Sequence, residues 1–356
     1  MSELLRPVSF AVPGKIDQKT GGYLYDHRII QALRGADRNT SVLEIGGAHP
    51  IPDDIAFTEA ALTLAAQPDG SILVIDGLAL PAFEPSIRAH AGRIITVALV
   101  HHPLALETGL TSDAQIFLMN AERKALSQVA GIITTSTATA ALITDNGHPA
   151  KTLFVVAPGT DPVPAARGTC DGVLRFLCVG AVIPRKGHAD LIAALAGCAG
   201  LPWRLLCFGS LDRDPKTAAA VSALIAKAGL APQVTLAGEA DAETLATAYN
   251  SADIFVLASS FEGYGMAFAE ALARGLPIIG SGDGAVRDTV PASAGIIVPV
   301  GDCGALRGAL RQVIEDATYR GRLAKGARAI GVSLPDWCMA GQSFGQALDR
   351  IAARAS

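Results

Sequence analysis

Charge is scarce in this chain of 356 residues: Lys, Arg, Asp and Glu make up 17% of it and leave a net charge of −4. That balance offers no electrostatic footprint for nucleic acid, and no block of like charges marks an interaction tail. The opening residues, MSELLRPVSFAVPG, lack a basic segment followed by a long apolar one, which argues against a secretory signal. The longest uncharged stretch, LSQVAGIITTSTATAALIT (126–144), is interrupted by Ser, Thr, Gln and Gly. It reads as a helix end, a short strand and a new helix rather than a membrane span. Cysteine is sparse and unpatterned: Cys170, Cys178, Cys198, Cys207, Cys303 and Cys338 form no C-x-x-C pair, and several lie in apolar runs. Reduced, mostly buried thiols in a cytoplasmic protein are expected, not a disulfide framework. Without a secretory signal the Asn-Thr-Ser sequon at 39–41 carries no weight.

What the chain has is apolar mass. Half its residues are hydrophobic, enough for two sizeable cores, and its length suggests two domains. Short apolar runs alternate with amphipathic segments throughout. In the first half they are PVSFAV (7–12), SVLEIG (41–46), SILVID (71–76), RIITVALV (93–100), GIITTS (131–136) and LFVVAPG (153–159). In the second they are LRFLCVG (174–180), WRLLCFG (203–209), QVTLAG (233–238), DIFVLAS (253–259), LPIIGS (276–281) and AGIIVPV (294–300). Most are followed by Gly or a capping residue and then by helix-spaced apolar positions. That order predicts βαβ units and parallel sheets covered on both faces. APGTDPVPAARGTCDG (157–172) breaks the rhythm and reads as a linker. The expected division is therefore 1–165, 166–334, and a final helix in 335–356 with Trp337, Phe344, Leu348 and Ile351 on one face. Ligands of parallel sheets lie at strand carboxyl ends, so a cleft between the halves is the expected site.

The stretch SSFEGYGMAFAEALARGLPIIGS (259–281) carries two carboxylates, Glu262 and Glu270, in an otherwise apolar setting. DIFVLAS reads as a buried strand, SFEGYG as the turn after it, and MAFAEALARG as a helix closed by Gly275. The turn Gly263-Tyr264-Gly265 then precedes a helix start at Met266, where free N–H groups and the positive dipole end suit a phosphate. Missing Cβ atoms at Gly263 and Gly265 would let a ligand approach the backbone. Glu270 could accept from vicinal hydroxyls such as those of ribose, and Glu262 from hydroxyls beyond the phosphates. The bland alternative has Glu262 offsetting the helix dipole and Glu270 facing solvent.

This segment closely resembles the E-x7-E segment of family-4 glycosyltransferases. The resemblance implies a GT-B fold, two Rossmann-like parallel-sheet domains facing across a cleft, with the C-terminal helix crossing back to the first. It implies a retaining enzyme that moves a hexose or related sugar from a nucleotide-diphosphate sugar, UDP- or GDP-linked, to an acceptor hydroxyl. No further cofactor and no metal are expected. Glu262 matches the glutamate that contacts the donor sugar and Glu270 the one that contacts its ribose. VGAVIPRKGHADLIAAL (179–195) is similar to the family's strand, basic pair, glycine and helix, so Arg185 and Lys186 would face the diphosphate. QKTGGYLYDHRI (18–29) resembles the glycine loop after the first strand, with Gly21 and Gly22 near diphosphate or acceptor. IITVALVHHPLALETGL (94–110) resembles the strand-end histidine segment of the acceptor half. There His101 best matches the histidine near the transferred sugar, and His102 is its competitor. The implied catalytic set is His101, Glu262, Arg185 and Lys186. The implied donor set adds Gly21, Gly22, Gly263, Tyr264, Gly265, Met266 and Glu270.

Rival signals remain open. LDRDP (211–215) contains a D-x-D, read as helix capping by Asp212 or Asp214. GSGDGA (280–285), with Asp302 further on, fits a dinucleotide fingerprint and keeps an NAD(P)-dependent oxidoreductase in view. A nucleotide-sugar-binding protein without transferase activity is the other alternative. Donor base, sugar and acceptor are not legible. The acceptor could be a lipid-linked saccharide, a free sugar or a small hydroxyl compound such as a pterin, and the lack of a basic amphipathic helix in the first half favours a soluble one.

Overall fold

The computed structural model describes residues 5–107, 109–145, 152–169 and 171–355. The chain divides into two units. The first comprises residues 1–159 together with 335–356, and the second residues 160–334.

In the first unit the apolar runs become six strands: β1 (Val8–Pro13), β2 (Thr40–Ile45), β3 (Ile72–Asp76), β4 (Ile95–Val100), β5 (Gly131–Thr134) and β6 (Leu153–Val155). They pair in the order β2-β1-β3-β4-β5-β6, every pair parallel. β3 and β4 are buried along their whole length, which is why they read as runs dominated by Val, Ile and Leu instead of alternating. After β1 the chain steps to one side to form β2 and then returns to the other side of β1 as β3. That reversal makes the carboxyl ends of β1 and β3 the switch point, where a crevice opens. The final helix, Trp337–Ala355, buries Ala340, Phe344, Leu348 and Ile351 in this unit. Phe344 stacks on Phe10 with ring centroids 5.7 Å apart. A Cβ on Gly341 would lie 2.4 Å from Ala32 Cβ, so only glycine permits that close helix contact.

The second unit repeats the architecture with β7 (Leu174–Val179), β8 (Trp203–Phe208), β9 (Val234–Gly238), β10 (Ile254–Glu262), β11 (Ile278–Gly284) and β12 (Gly295–Val298). Their order is β12-β11-β10-β7-β8-β9, again all parallel. The switch point here lies between β7 and β10. The core packs Phe176, Trp203, Phe255, Phe268 and Tyr249, each at most 1% exposed. One expectation needs correction. Ser260, Phe261 and Glu262 are not a turn but the end of β10, because Phe261 and Glu262 pair with Asp283 and Gly284 after a register shift beyond Ala258. The shift is a bulge, which re-aims the strand end.

The described cysteines are free; Cys178, Cys198 and Cys207 are buried, Cys303 is half-buried and Cys338 exposed. Cys170 lies outside the described residues. Among the described residues no helix is long and apolar enough to cross a membrane.

Candidate functional site

Polar side chains gather at the switch point of each sheet. In the second unit, β7 is followed by a single 3-10 turn, Pro184–Lys186, and then by the helix His188–Ala196. Gly187 joins them at φ 62°, and a Cβ there would sit 1.8 Å from the carbonyl oxygen of Ala258. Only glycine lets this turn press against β10, and so the two cations before it are brought to the end of that strand. Lys186 Nζ donates to Glu262 Oε1 at 2.6 Å, and Arg185 Nη1 lies 3.6 Å from Glu262 Oε2. Arg185 Nη1 also donates to the Phe261 carbonyl at 2.9 Å, and Ser259 Oγ donates to Glu262 Oε1 at 2.7 Å.

Glu262 is only 6% exposed. Burial pushes its carboxyl upward, but Lys186 and Arg185 outweigh burial and hold it below the ordinary carboxylate range. Glu262 therefore does more than offset a helix dipole. The cluster is one carboxylate under two cations, net positive, and Arg185 Nε is buried with no partner among the described residues. A buried guanidinium donor left unspent is costly unless an anion takes it.

Gly263 and Tyr264 bend the chain from β10 into the helix Met266–Ala273, whose start has no side-chain cap. Thr289 Oγ1 fixes the bend by donating to the Tyr264 carbonyl at 3.0 Å. Gly265 is left-handed at φ 88°, and its Cβ would meet the Phe268 ring at 2.8 Å. The backbone itself thus requires that glycine, whatever binds beside it. Glu270 does not simply face solvent. It is half-buried, and Tyr249 Oη donates to its Oε2 at 3.0 Å. Tyr249 is fully buried, stacked on Phe255, with the Arg274 guanidinium 4.2 Å above its ring. Tyr249 holds one carboxylate oxygen and so sets how Glu270 presents the other. On the expectation that Glu270 accepts from a donor ribose, Tyr249→Phe is expected to weaken nucleotide binding about 5- to 20-fold, the worth of orienting one charge-assisted hydrogen bond, with little change in thermal stability. Calorimetric titration of the purified variant with nucleoside diphosphates checks this.

The glycines of GSGDGA have packing roles. Cβ atoms at Gly280 and Gly284 would lie 2.2 Å and 2.3 Å from the carbonyl oxygens of Leu257 and Glu262, and one at Gly282 would strike Val286. They let β11 lie close against β10, and the helix that follows, Val286–Thr289, is a single turn. Asp302 caps the helix Cys303–Glu315, accepting from Ala305 N at 2.8 Å. Of the D-x-D pair it is Asp214 that caps, accepting from Thr217 N at 3.0 Å.

In the first unit the focus is His101, just beyond the end of β4. Its Nε2 donates to Asp26 Oδ1 at 3.1 Å and lies 3.2 Å from Asp76 Oδ2. Asp76 ends β3, and Asp26 lies on the buried face of the helix Gly21–Gly35 that follows β1. Three elements thus converge at the switch point. Thr135 Oγ1 and Thr139 Oγ1 both donate to the His101 carbonyl, at 3.2 Å and 3.4 Å, which is the work of the threonine-rich segment after β5. The Tyr25 ring meets the imidazole edge-on at 5.3 Å. Burial pulls the imidazole downward, but the charges and hydrogen bonds of Asp26 and Asp76 outweigh it and raise His101 to about 10. Burial raises Asp26 to about 7 against the pull of His101. His102 points elsewhere, its Nε2 3.0 Å from Glu107 Oε2.

Gly21 and Gly22 are a second correction. They do not form a loop; they are the first residues of the helix, entered from an extended Thr20. A Cβ on Gly22 would lie 3.2 Å from His101 Cδ2, so that glycine makes room for the imidazole. Asp26, Asp76, Ser259 and Tyr249 were not singled out from sequence. Asp76 had a signal, an acid closing an otherwise apolar run, and Asp26 another, an acid on the apolar face of a helix.

Residues 167–330 match the family described as glycosyl transferases group 1. A GDP-mannose-dependent alpha-mannosyltransferase of Mycobacterium tuberculosis (strain CDC 1551 / Oshkosh) is 33% identical over 126 residues, which span 35% of this chain and 30% of that relative. Among solved structures, sucrose-phosphate synthase from Thermosynechococcus elongatus superposes with a TM-score of 0.81 at 20% identity, covering 98% of this chain and 99% of that one. Anabaena HepE, solved in complex with UDP and glucose, superposes with a TM-score of 0.78 at 18% identity, covering 97% and 99%.

Proposed function

We propose that this chain, whose residues 167–330 match the group 1 glycosyltransferase family and whose two parallel-sheet units have the GT-B fold, is a retaining, metal-independent hexosyltransferase of the cytoplasm. It takes a nucleotide-diphosphate sugar as donor and a small hydroxyl compound or glycan as acceptor. The second unit binds the donor and the first the acceptor. The observation that carries this is the Arg185–Lys186–Glu262 cluster at the switch point, with a buried guanidinium donor unspent.

On this reading the donor diphosphate takes the place that Glu262 now fills for the two cations. The carboxylate is freed to accept from hydroxyls of the sugar, and the helix start at Met266 adds N–H donors to the phosphates. Glu270 accepts from the ribose hydroxyls. The bond between the anomeric carbon and the phosphate oxygen breaks with its electron pair passing to the diphosphate, which Arg185 and Lys186 stabilise. The acceptor oxygen attacks the anomeric carbon from the same face, and its proton passes to the leaving phosphate oxygen. His101, held by Asp26 and Asp76, hydrogen-bonds the transferred sugar. The mannosyltransferase similarity speaks for a GDP-sugar and the HepE complex for a UDP-sugar, so the donor base is the first thing to measure.

Thermal stabilisation across UDP-, GDP- and ADP-sugars, the free nucleotides, NAD and NADP decides it. A ligand at about 100 times its dissociation constant adds roughly 2.7 kcal/mol. The expected result is a shift with one nucleoside diphosphate and its sugars, lost in Glu270→Ala. A shift with NAD alone would overturn the assignment, and donor binding without turnover across acceptors would leave a binding protein.

A further inference from the structure

Behind the turn that carries Arg185 and Lys186 lies a cluster that the donor reading does not use. Cys178 and Cys207 are direct partners on the parallel strands β7 and β8, so their side chains leave the same face of the sheet. His188 opens the helix that covers this face, two residues beyond Lys186. All three are buried, at 0%, 3% and 2% exposure. The two sulfurs and a ring nitrogen of His188 lie within 4.8 Å of one another.

Packing alone leaves His188 without a reason. Its Nδ1 has no partner among the described residues, and its Nε2 has only the Cys178 sulfur, 3.6 Å away. An apolar side chain would fill the space, whereas the imidazole brings Nε2, the nitrogen beside the sulfur, to the cluster. The distance suits a hydrogen bond and equally suits coordination. With metal–sulfur and metal–nitrogen bonds of about 2.3 Å and 2.0–2.1 Å at a tetrahedral angle, sulfur and nitrogen sit about 3.6 Å apart.

We propose that Cys178, His188 and Cys207 form a binding site for one soft, thiophilic d10 cation, zinc(II) or copper(I). Two sulfurs and one imidazole are the donors such ions select. No oxygen ligand of the kind magnesium or calcium needs belongs to the cluster. Three protein donors leave zinc one ligand short of its usual four, so the relative affinity of the two ions reports whether a further donor enters. The site is closed to solvent, and the ion enters during folding or by opening of the Pro184–Gly187 turn. Coordination would anchor His188 and with it the turn that holds Arg185 and Lys186. Cation binding stands independently of the donor reading; only a change in donor affinity on loading rests on it.

The test uses the purified, reduced full chain. Metal content is measured by mass spectrometry as isolated, and zinc(II) and copper(I) are each titrated in competition with a chromophoric chelator. Cobalt(II) substitution adds a spectroscopic signature, thiolate-to-cobalt charge transfer. The expected result is one equivalent of zinc(II) or copper(I), weakened at least 100-fold in Cys207→Ala and in His188→Leu. Binding is expected to be unchanged in Cys338→Ser and Cys170→Ser. Circular dichroism checks the fold of each, and two different ligand variants keep the test open if one does not fold. Binding equally tight in Cys207→Ala and His188→Leu overturns the proposal, as does loss in Cys338→Ser, no binding to the wild type, or a Cys178–Cys207 disulfide in protein purified without oxygen. A donor affinity unchanged by loading would overturn only the coupling to the turn.

Discussion

Glu262→Gln is expected to lower sugar transfer about 10²- to 10³-fold while leaving nucleoside diphosphate binding intact or tighter. The carboxylate accepts from Lys186, Ser259 and, at longer range, Arg185. An amide of the same shape keeps the packing but removes the charge. The two cations, 16% and 17% exposed, then lose their internal counter-ion and turn to the diphosphate. The sugar meanwhile loses a charged acceptor and keeps only a neutral amide oxygen. A purely structural Glu262 would give the opposite pattern, with binding and transfer falling together. Calorimetric titration with UDP and GDP beside a turnover assay separates the two. Leaving two partly buried cations unpaired costs about 2 kcal/mol, or roughly 4–8 °C in the melting of a unit this size. The pH dependence has a definite sign. Glu262 lies below its ordinary value of 4.5 in the folded state. It stabilises the fold fully above that pH, and the stabilisation is lost as pH falls through the folded value. In Glu262→Gln that part of the acid loss disappears.

The second large effect falls on the first unit. His101→Ala is expected to cost about 10²-fold or more in transfer with nucleoside diphosphate binding unchanged, since the nucleotide is assigned to the second unit and the histidine to the first. Asp26→Asn discriminates further. It keeps a polar group beside Nε2 but removes the charge that raises the imidazole. The His101 titration, followed by NMR of its Cε1 proton, is then expected to move down from about 10 toward the ordinary 6.5. Because the folded value is raised, the stabilisation from His101 is fully present below 6.5 and is lost as pH rises through about 10. In Asp26→Asn the loss is smaller and is complete at lower pH. Asp26 acts through His101, so kcat is expected to fall about 10-fold with KM for donor unchanged. An imidazole that titrates identically in wild type and Asp26→Asn would dissolve the link.

Much of this was legible in the sequence, for reasons visible in particular residues. Strands such as ILVID and ITVALV announce themselves because both faces are buried and no polar alternation interrupts them. Glu262 and Glu270 stand out because one short strand-to-helix segment carries both. The basic pair before Gly187 is equally local. What escaped reading depends on contacts across the chain. Asp26, Asp76 and His101 come from three elements, and nothing near Asp26 signals a partner 75 residues away. Gly21 and Gly22 read as loop because glycine is a poor helix residue. The space that Gly22 leaves for His101 appears only once β1 and β4 share a sheet. Ser-Ser-Phe-Glu-Gly has turn composition and reads as one, whereas pairing with Asp283 and Gly284 keeps the end of β10 extended.

The last helix has a consequence for synthesis. The chain leaves the first unit after residue 159 and returns to it only at residue 335. A ribosome adding about 5–20 residues per second spends on the order of ten to thirty seconds making the intervening unit. Throughout that interval Phe10, Ala32 and Leu33 lack Phe344, Gly341 and Gly345, the partners that cover them in the finished protein. The first unit therefore stays open until residues 335–355 have been made, and its apolar flank is meanwhile exposed to chaperones or to neighbouring nascent chains.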